Sequence, residues 1–391
     1  MKLHVCDYAC LRIKETFADK LFFRALGKRY PGKVIANLVF YTTAHHIVEN
    51  GFQLIEIPDQ EAYNLSSNEI FKGGFDLQKL QAALENKVDS PSMIFLEICN
   101  NGSGGYPVAA LAYSNDILLI LDMTRIGRNA VLIQKYESGY QEKSIREIVL
   151  ETCQYADMLV GSLSKDFCVN VGGMIAVKDA SLLNEIKALA KMEGGFVSEL
   201  ETGVIGESVK DFDYIENAVR DQLLKAEAIC SELNAKSIPV VSQASGHCLL
   251  IPVSEVSSLK NEKFAKETLL RELWETTGIR GGIHIPGQQY DTSLNDCVRL
   301  CLPLGLTTDE EQLLVDGVSS LKPFANNAEI VNPLNQTQTV NEPMAIIGMS
   351  GKYAQSENIE QFWQHIKEGK NCSGAIEGVR ESNFEGSNIQ T

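Results

Sequence analysis

The chain has 391 residues, 44% of them hydrophobic, and a formal net charge of −16. That size allows one large two-part domain or two ordinary ones, and the acidic balance argues against nucleic acid or an anionic membrane surface as the main partner. No apolar run approaches the roughly 18 residues of a membrane span, and the opening MKLHVCDYAC lacks a signal-peptide core. The ten cysteines form no CxxC pair and have no histidine at zinc spacing, so a cytoplasmic protein with reduced thiols is expected.

In chain order, strands are predicted at 34–41, 53–57, 93–99, 117–122, 158–162 and 174–177, with helix-period segments between them at 77–84 and 145–155. Such alternation predicts an α/β domain with a mostly parallel sheet covered on both faces. A long helix is predicted at 209–233. After it come strands near 240–251, a helix at 262–276, strands at 278–285 and 298–302, and a closing helix at 309–321. The stretch KPFANNAEIVNPLNQTQTVNEP is rich in Asn, Gln, Thr and Pro without a period and reads as a linker. A fresh strand-loop-helix pattern begins beyond it.

Five residues carry a chemical signal. Lys165 sits in GSLSKDFCVNVGG, directly after the apolar run Met158-Leu159-Val160. A lysine at the mouth of a buried strand is expected to be desolvated, and such lysines are the usual source of Schiff bases. Asp122 ends the apolar run ILLILD, which places its carboxylate at the carboxyl end of the sheet, where such folds bind ligands; taken alone, a capping or salt-bridging aspartate is the simpler account. Asn101 follows a strand in the glycine-rich NNGSGGYP, a weak phosphate-loop signal. Arg299, like Arg12, lies beside an apolar segment, where an arginine needs an anionic partner.

Together these segments resemble the pyridoxal phosphate-dependent β-eliminating lyases, the tryptophanase and tyrosine phenol-lyase family. SLSKDFCVNVGG resembles the family's lysine motif S-G-K-K-D-x-x-V-N-x-G-G, and LDMTR resembles L-D-A-T-R. NNGSGGYPV is similar to N-x-x-G-G-Q-P-V, FYTTAHHIVENG to F-x-T-T-x-x-H-x-x-x-N-G, CLRIKE to Q-G-R-G-A-E, and VRLCLP to V-R-L-T-I-P. The resemblance runs from about residue 8 to 322. It implies the fold-type I pyridoxal phosphate-dependent transferase fold: a large mostly parallel-sheet part (about 1–210) and a smaller C-terminal α+β part (about 235–322), assembled as a homodimer or higher oligomer. It implies that Lys165 carries the cofactor and takes the substrate's α-proton, and that Asp122 pairs with the pyridine nitrogen. Arg125 and Asn101 would flank the ring hydroxyl and Phe40 would stack on the ring. Cys10, Leu11, Arg12 and Ser162 would hold the phosphate, and Arg299, with Asn101, would bind the substrate. Asn170 would offer a carbonyl to a monovalent cation such as K+. His46 matches a family position but is read as structural.

The departures concern the leaving group. Family members carry about eighty further residues ahead of the phosphate segment, including a general-acid tyrosine and a cation-binding glutamate, which this sequence does not show. Ser164 replaces the first lysine of the pair, and Leu11 and Ile13 replace the phosphate-loop glycines. Tyr41 and His284 stand where the family contacts the aromatic leaving group. EPMAIIGMSGKYAQSENIEQFWQHIKEGK, after a linker at 323–341, resembles the opening of a polyketide β-ketoacyl synthase, so 342–391 is expected to be a synthase fragment. That context suggests the cysteine-lyase domain of a polyketide assembly line, cleaving the carbon–sulfur bond of a carrier-bound cysteine adduct, with other synthase domains as partners. The alternatives are a β-lyase of free cysteine conjugates or aromatic amino acids, and a catalytically silent scaffold.

Overall fold

The computed structural model describes residues 9–86, 88–111, 117–241, 246–260, 262–284 and 296–324, together with 361, 364, 365, 367 and 368. The chain divides into two units, Met1–Gln336 and Thr337–Thr391. Nearly all of the expected linker at 323–341 and of the segment 342–391 lies outside the described residues. The first unit contains everything that follows.

Its large part is a seven-stranded sheet in the order β1-β7-β6-β5-β4-β2-β3. The strands are β1 (Ala9–Ile13), β2 (Lys33–Ala36), β3 (Gln53–Glu56), β4 (Met93–Glu97), β5 (Leu118–Asp122), β6 (Met158–Ser162) and β7 (Gly173–Val177). Strands β3, β2, β4, β5 and β6 run parallel, whereas β7 is antiparallel to both β6 and β1. The mostly parallel α/β sheet anticipated from the sequence is therefore present. Successive residues of the central strands serve opposite layers. Ile94, Leu96, Leu119, Leu121 and Leu159 pack toward α3 (Leu77–Glu85), α4 (Ile126–Tyr136), α5 (Ile145–Gln154) and the start of α8 (Phe212–Ala235). Met93, Phe95, Ile120, Met158 and Val160 pack toward α1 (Glu15–Arg29), α2 (Tyr41–Glu49) and α6 (Ala180–Glu193). Two covered faces explain why these strands read as continuous apolar runs rather than alternating ones.

Helix α8 leads into the smaller part, a three-stranded antiparallel sheet β8-β10-β9 (Cys248–Pro252, Cys297–Cys301, Gly282–Ile283). This sheet shares a separate core with α8, α9 (Ala265–Thr277) and α10 (Thr308–Ser319). Several element boundaries differ from expectation, among them the strand at 278–285, which is only Gly282–Ile283. The predicted strand 34–41 stops at Ala36, and α2 begins at Tyr41. The predicted helix 209–233 begins only at Phe212, where the Asp211 side chain accepts the Tyr214 N–H (3.0 Å); α7 (Glu199–Ser208) is a distinct helix before it. Residues 10–13, read as a phosphate loop, are strand β1.

The early end of β2 has a cause. Asn37 is fully buried. It donates to the carbonyls of Gly73 (2.8 Å) and Glu97 (2.9 Å) and accepts the Glu97 N–H (3.0 Å). Its amide thus replaces the next rung between β2 and β4 and releases the chain toward α2. Asn37→Ala would leave these groups buried without partners, and is expected to lower the unfolding free energy by about 2–4 kcal/mol. Chemical denaturation of the two proteins measures the difference; an unchanged midpoint would show that the bridge contributes nothing.

Candidate active site

The carboxyl ends of β2, β4, β5 and β6 converge on one edge of the sheet, and two cavities open there. The smaller, about 430 Å³, is walled by Phe40, Glu97, Asn101, Asp122 and Ser162 among others. The larger, about 770 Å³, lies between the two sheets' parts and is walled by Arg128, Tyr214, His247 and Leu302 among others. Arg125, Lys165, Arg299 and Cys301 border both. Lys165 stands at this seam, three residues past the end of β6. Its Nζ donates to Ser164 Oγ (3.0 Å), which is 2.8 Å from Ser162 Oγ. The expected desolvation is corrected: Lys165 is exposed, because it opens onto both cavities rather than entering the core.

The floor of the smaller cavity is built from two carboxyls. Glu97 and Asp122 end β4 and β5 in register with one another, and both are buried. Glu97 accepts the N–H of Asn101 (2.8 Å) and of Phe40 (2.7 Å), so one side chain ties together the two loops that wall the cavity. Asp122 accepts the Thr124 N–H (2.9 Å). Burial raises Asp122, with Thr124 and Arg125 opposing. Burial first, and then the charge of Asp122, push Glu97 up to about 8. Near neutral pH the pair therefore holds a proton, and we place it on Glu97, where the charge of Asp122 adds to burial; Arg125 favours the charged form of both carboxyls. Strand β6 approaches this floor so closely that a Cβ on Gly161 would stand 2.8 Å from Thr124 N and 3.2 Å from Asp122 Oδ1. The loops bearing Asn101 and Lys165 each contain a non-glycine residue in the left-handed region, Cys99 and Cys168 (φ 56° in both), a local strain that turns each loop sharply toward the cavity.

Arg299 reaches over from β10, its Nη2 donating to Asn101 Oδ1 (2.7 Å). His247 Nε2 lies 3.3 Å from the same oxygen. Arg125 Nε and Arg299 Nε are buried without a hydrogen-bond partner. Such donors beside a cavity suit an anionic ligand group, since a buried N–H without an acceptor is costly. Together with the buried Asp122 carboxyl, the Phe40 ring and the hydroxyls of Thr42 and Ser162, this donor set fits pyridoxal phosphate: a carboxyl for the ring nitrogen, cations for the ring hydroxyl and the substrate carboxylate, hydroxyls for the phosphate.

Several expected residues lie elsewhere. Cys10, Leu11 and Arg12 wall neither cavity, because β1 pairs with β7 along their backbone: Cys10 with Ala176, Leu11 with Ile175, Arg12 with Met174. Tyr41 is half exposed and packs at a tilt against Phe40 (ring centroids 4.5 Å apart), lining neither cavity. His284 is buried, but its Nε2 engages the Gly102 carbonyl (3.1 Å) and it borders neither cavity. Burial and Arg299 push it down to about 4. Asn170 borders the larger cavity and His46 the smaller. Sequence reasoning missed Glu97, His247 and Arg128. A glutamate closing the apolar run MIFLE was a legible signal for the first; only tertiary contact reveals the others.

The Glu97 carboxyl gives a pH prediction. Its folded-state value lies above the ordinary 4.5, so the folded protein binds the proton more tightly than the unfolded chain. The resulting stabilisation is complete below about 4.5 and lost as pH rises through about 8. The cofactor-free protein should therefore lose thermal stability between pH 5.5 and 8.5, and Glu97→Gln should flatten that decline. Parallel pH profiles for the two proteins would show that Glu97 does not hold the proton.

Comparison with known proteins follows the same lines. The family model described as beta-eliminating lyase matches residues 6–377. The tyrosine phenol-lyase of Clostridium tetani is 28% identical over 334 residues, 78% of this chain and 71% of that protein. The tryptophanase of Salinibacter ruber is 29% identical over 295 residues, 69% of this chain and 62% of its own length. Among solved structures, the threonine aldolase of Leishmania major superposes with a TM-score of 0.56 at 14% identity, covering 80% of this chain and 84% of that one. The aromatic aminotransferase of Pyrococcus horikoshii gives 0.52 at 12% identity, covering 79% and 78%. These two likenesses concern the fold.

Proposed function

The chain belongs to the beta-eliminating lyase family, pyridoxal phosphate-dependent enzymes, and from that premise we propose that it cleaves the carbon–sulfur bond of an L-cysteine S-conjugate, giving a thiol, pyruvate and ammonia. Pyridoxal phosphate, when bound, supplies the electron sink for the charge left on Cα. The chain's own residues do the rest. Lys165, at the seam of the two cavities, holds the cofactor and takes the α-proton. Asp122, kept charged by Glu97's proton, faces the ring nitrogen from the floor. Arg299, fixed by Asn101, holds the substrate carboxylate, and Arg125 lies beside the ring hydroxyl. The scaffold alternative finds no support in a chain that gathers these groups around one opening.

The observation that carries the carbon–sulfur reading is the position of Tyr41 and His284. Both sit outside the cavities, so neither grips an aromatic leaving group. Indole and phenol depart as carbon and require protonation of the ring. A thiol with an ordinary pKa of about 8.5 leaves as thiolate with little help. One observation favours the second reading, an aromatic amino-acid lyase. The Tyr214 phenol borders the larger cavity and could serve as an acid, and the relatives named above are a tyrosine phenol-lyase and a tryptophanase. The carrier-bound substrate and the partnership with other synthase domains rest on the synthase-like sequence from Glu342 onward. The family match runs past that point to residue 377.

S-propyl-L-cysteine, L-tryptophan and L-tyrosine at equal concentration should yield pyruvate from the sulfur compound alone at an appreciable rate. Indole or phenol released at a comparable rate would establish the second reading instead. Lys165→Ala should lose both the visible absorption band of the lysine-bound cofactor and at least about a thousand-fold in turnover, with the circular-dichroism spectrum unchanged.

A further inference from the structure

We propose that the larger cavity is a subsite for an oxyanion carried on the leaving group, gripped by Arg128, so that the preferred substrate is a cysteine S-conjugate whose sulfur substituent bears a carboxylate or phosphate. This rests on the β-elimination reading above and names the substrate class that reading leaves open.

Arg128 lies on α4 and is 2% exposed. One of its terminal nitrogens, Nη2, meets Asp166 Oδ1 at 3.2 Å, and its backbone N–H donates to Asp166 Oδ2 (2.7 Å). Its Nε and Nη1 are buried without a hydrogen-bond partner. Asp166 therefore satisfies only part of the guanidinium. Arg125 and Arg299 stand on the same cavity wall, each with an unpartnered Nε, and Lys165 joins them. The opposing carboxylates are already engaged: Asp166 with Arg128, and Asp221 with Lys225 (2.7 Å). Burial and then the charges of Arg125, Arg128 and Arg299 push His247 well below its usual range, as expected where the local potential is strongly positive.

A single amino-acid carboxylate uses Arg299. Arg128 comes from the opposite, large-sheet side and has no assignment in that interaction. A second anion on the sulfur substituent would supply the missing acceptors, and the aliphatic wall at Val169, Ala218 and Leu304 would accommodate its carbon chain. Gln222 Oε1, an acceptor without a partner on the same wall, suits a donor group of that substituent.

The test uses conjugates of matched length: S-propyl-, S-(2-carboxyethyl)-, S-(2-phosphonoethyl)- and S-(2-aminoethyl)-L-cysteine. An anionic conjugate should exceed the neutral one in kcat/KM by about ten-fold or more, and the cationic one should fall below it; the two anionic arms separate carboxylate from phosphate. Arg128→Met should bring the anionic conjugates to within about two-fold of the neutral one. Equal values for neutral and anionic conjugates, or an anion preference that survives Arg128→Met, would overturn the subsite. Because that variant leaves Asp166 unpaired, calorimetric titration of the wild-type holoenzyme saturated with glycine, whose carboxylate occupies Arg299, with 3-(methylthio)propionate and 3-(methylthio)propionamide gives an independent reading. The acid should bind at least about ten-fold more tightly than the amide, and equal binding or no binding of either overturns the proposal. Selective binding of the acid with no turnover of any conjugate would leave the subsite standing and reject the carbon–sulfur lyase reading instead.

Discussion

Glu97 is the residue on which the rest of the site depends. Its backbone N–H and carbonyl are gripped by Asn37, which ends β2. Its carboxyl receives the amides of Phe40 and Asn101, one from each wall of the smaller cavity. It also stands in register beside Asp122. Two buried carboxylates side by side repel strongly in a low-dielectric interior, so the arrangement is more stable with one of the two protonated. The same residue therefore fixes the walls by hydrogen bonding and governs the charge of the floor by electrostatics.

Around that floor the two parts of the first unit divide the work. The parallel sheet supplies Asp122, Asn101, Ser162 and Lys165 from strand ends and the loops after them, a position that rigid, doubly covered strands hold accurately. The small antiparallel sheet contributes Arg299 and His247, and both meet the large part at a single atom, Asn101 Oδ1. Asn101 is thus the point at which Arg299 is aligned with the carboxyl floor of the smaller cavity. A shift of the small part relative to the large would change that alignment first.

The electrostatics of the cavity run against those of the whole chain. The sequence carries a net charge of −16, yet Arg125, Arg128, Arg299 and Lys165 converge on one cavity. Screening confines the acidic surface to short range at physiological salt, whereas guanidiniums lining a partly enclosed cavity act with little screening. The cavity thus presents a positive lining even though the exterior is acidic.

Much of this was determined by the sequence alone. Apolar runs such as MIFLE and LLILD specify buried parallel strands because burial on both faces demands continuous hydrophobicity. The helices between them make successive strands parallel, so their carboxyl ends share one edge, while the strand order itself follows from the packing. Lys165, Asp122, Asn101, Arg125, Phe40, Ser162 and Arg299 were legible because each lies at a strand end or beside one in a recognisable segment, and all border the cavities. Tertiary structure decided the remainder. Residues 10–13 became an edge strand because β7 offers them a partner more than 150 residues away, a pairing that no local pattern encodes. Tyr41 and His284 line neither cavity: Tyr41 packs at a tilt on Phe40, and His284 is held by the Gly102 carbonyl. Glu97 beside Asp122, and the unfilled donors of Arg128, arise only when separate strands and helices pack. Local periodicity reports how a residue is buried; which buried groups meet depends on register and side-chain direction across the fold.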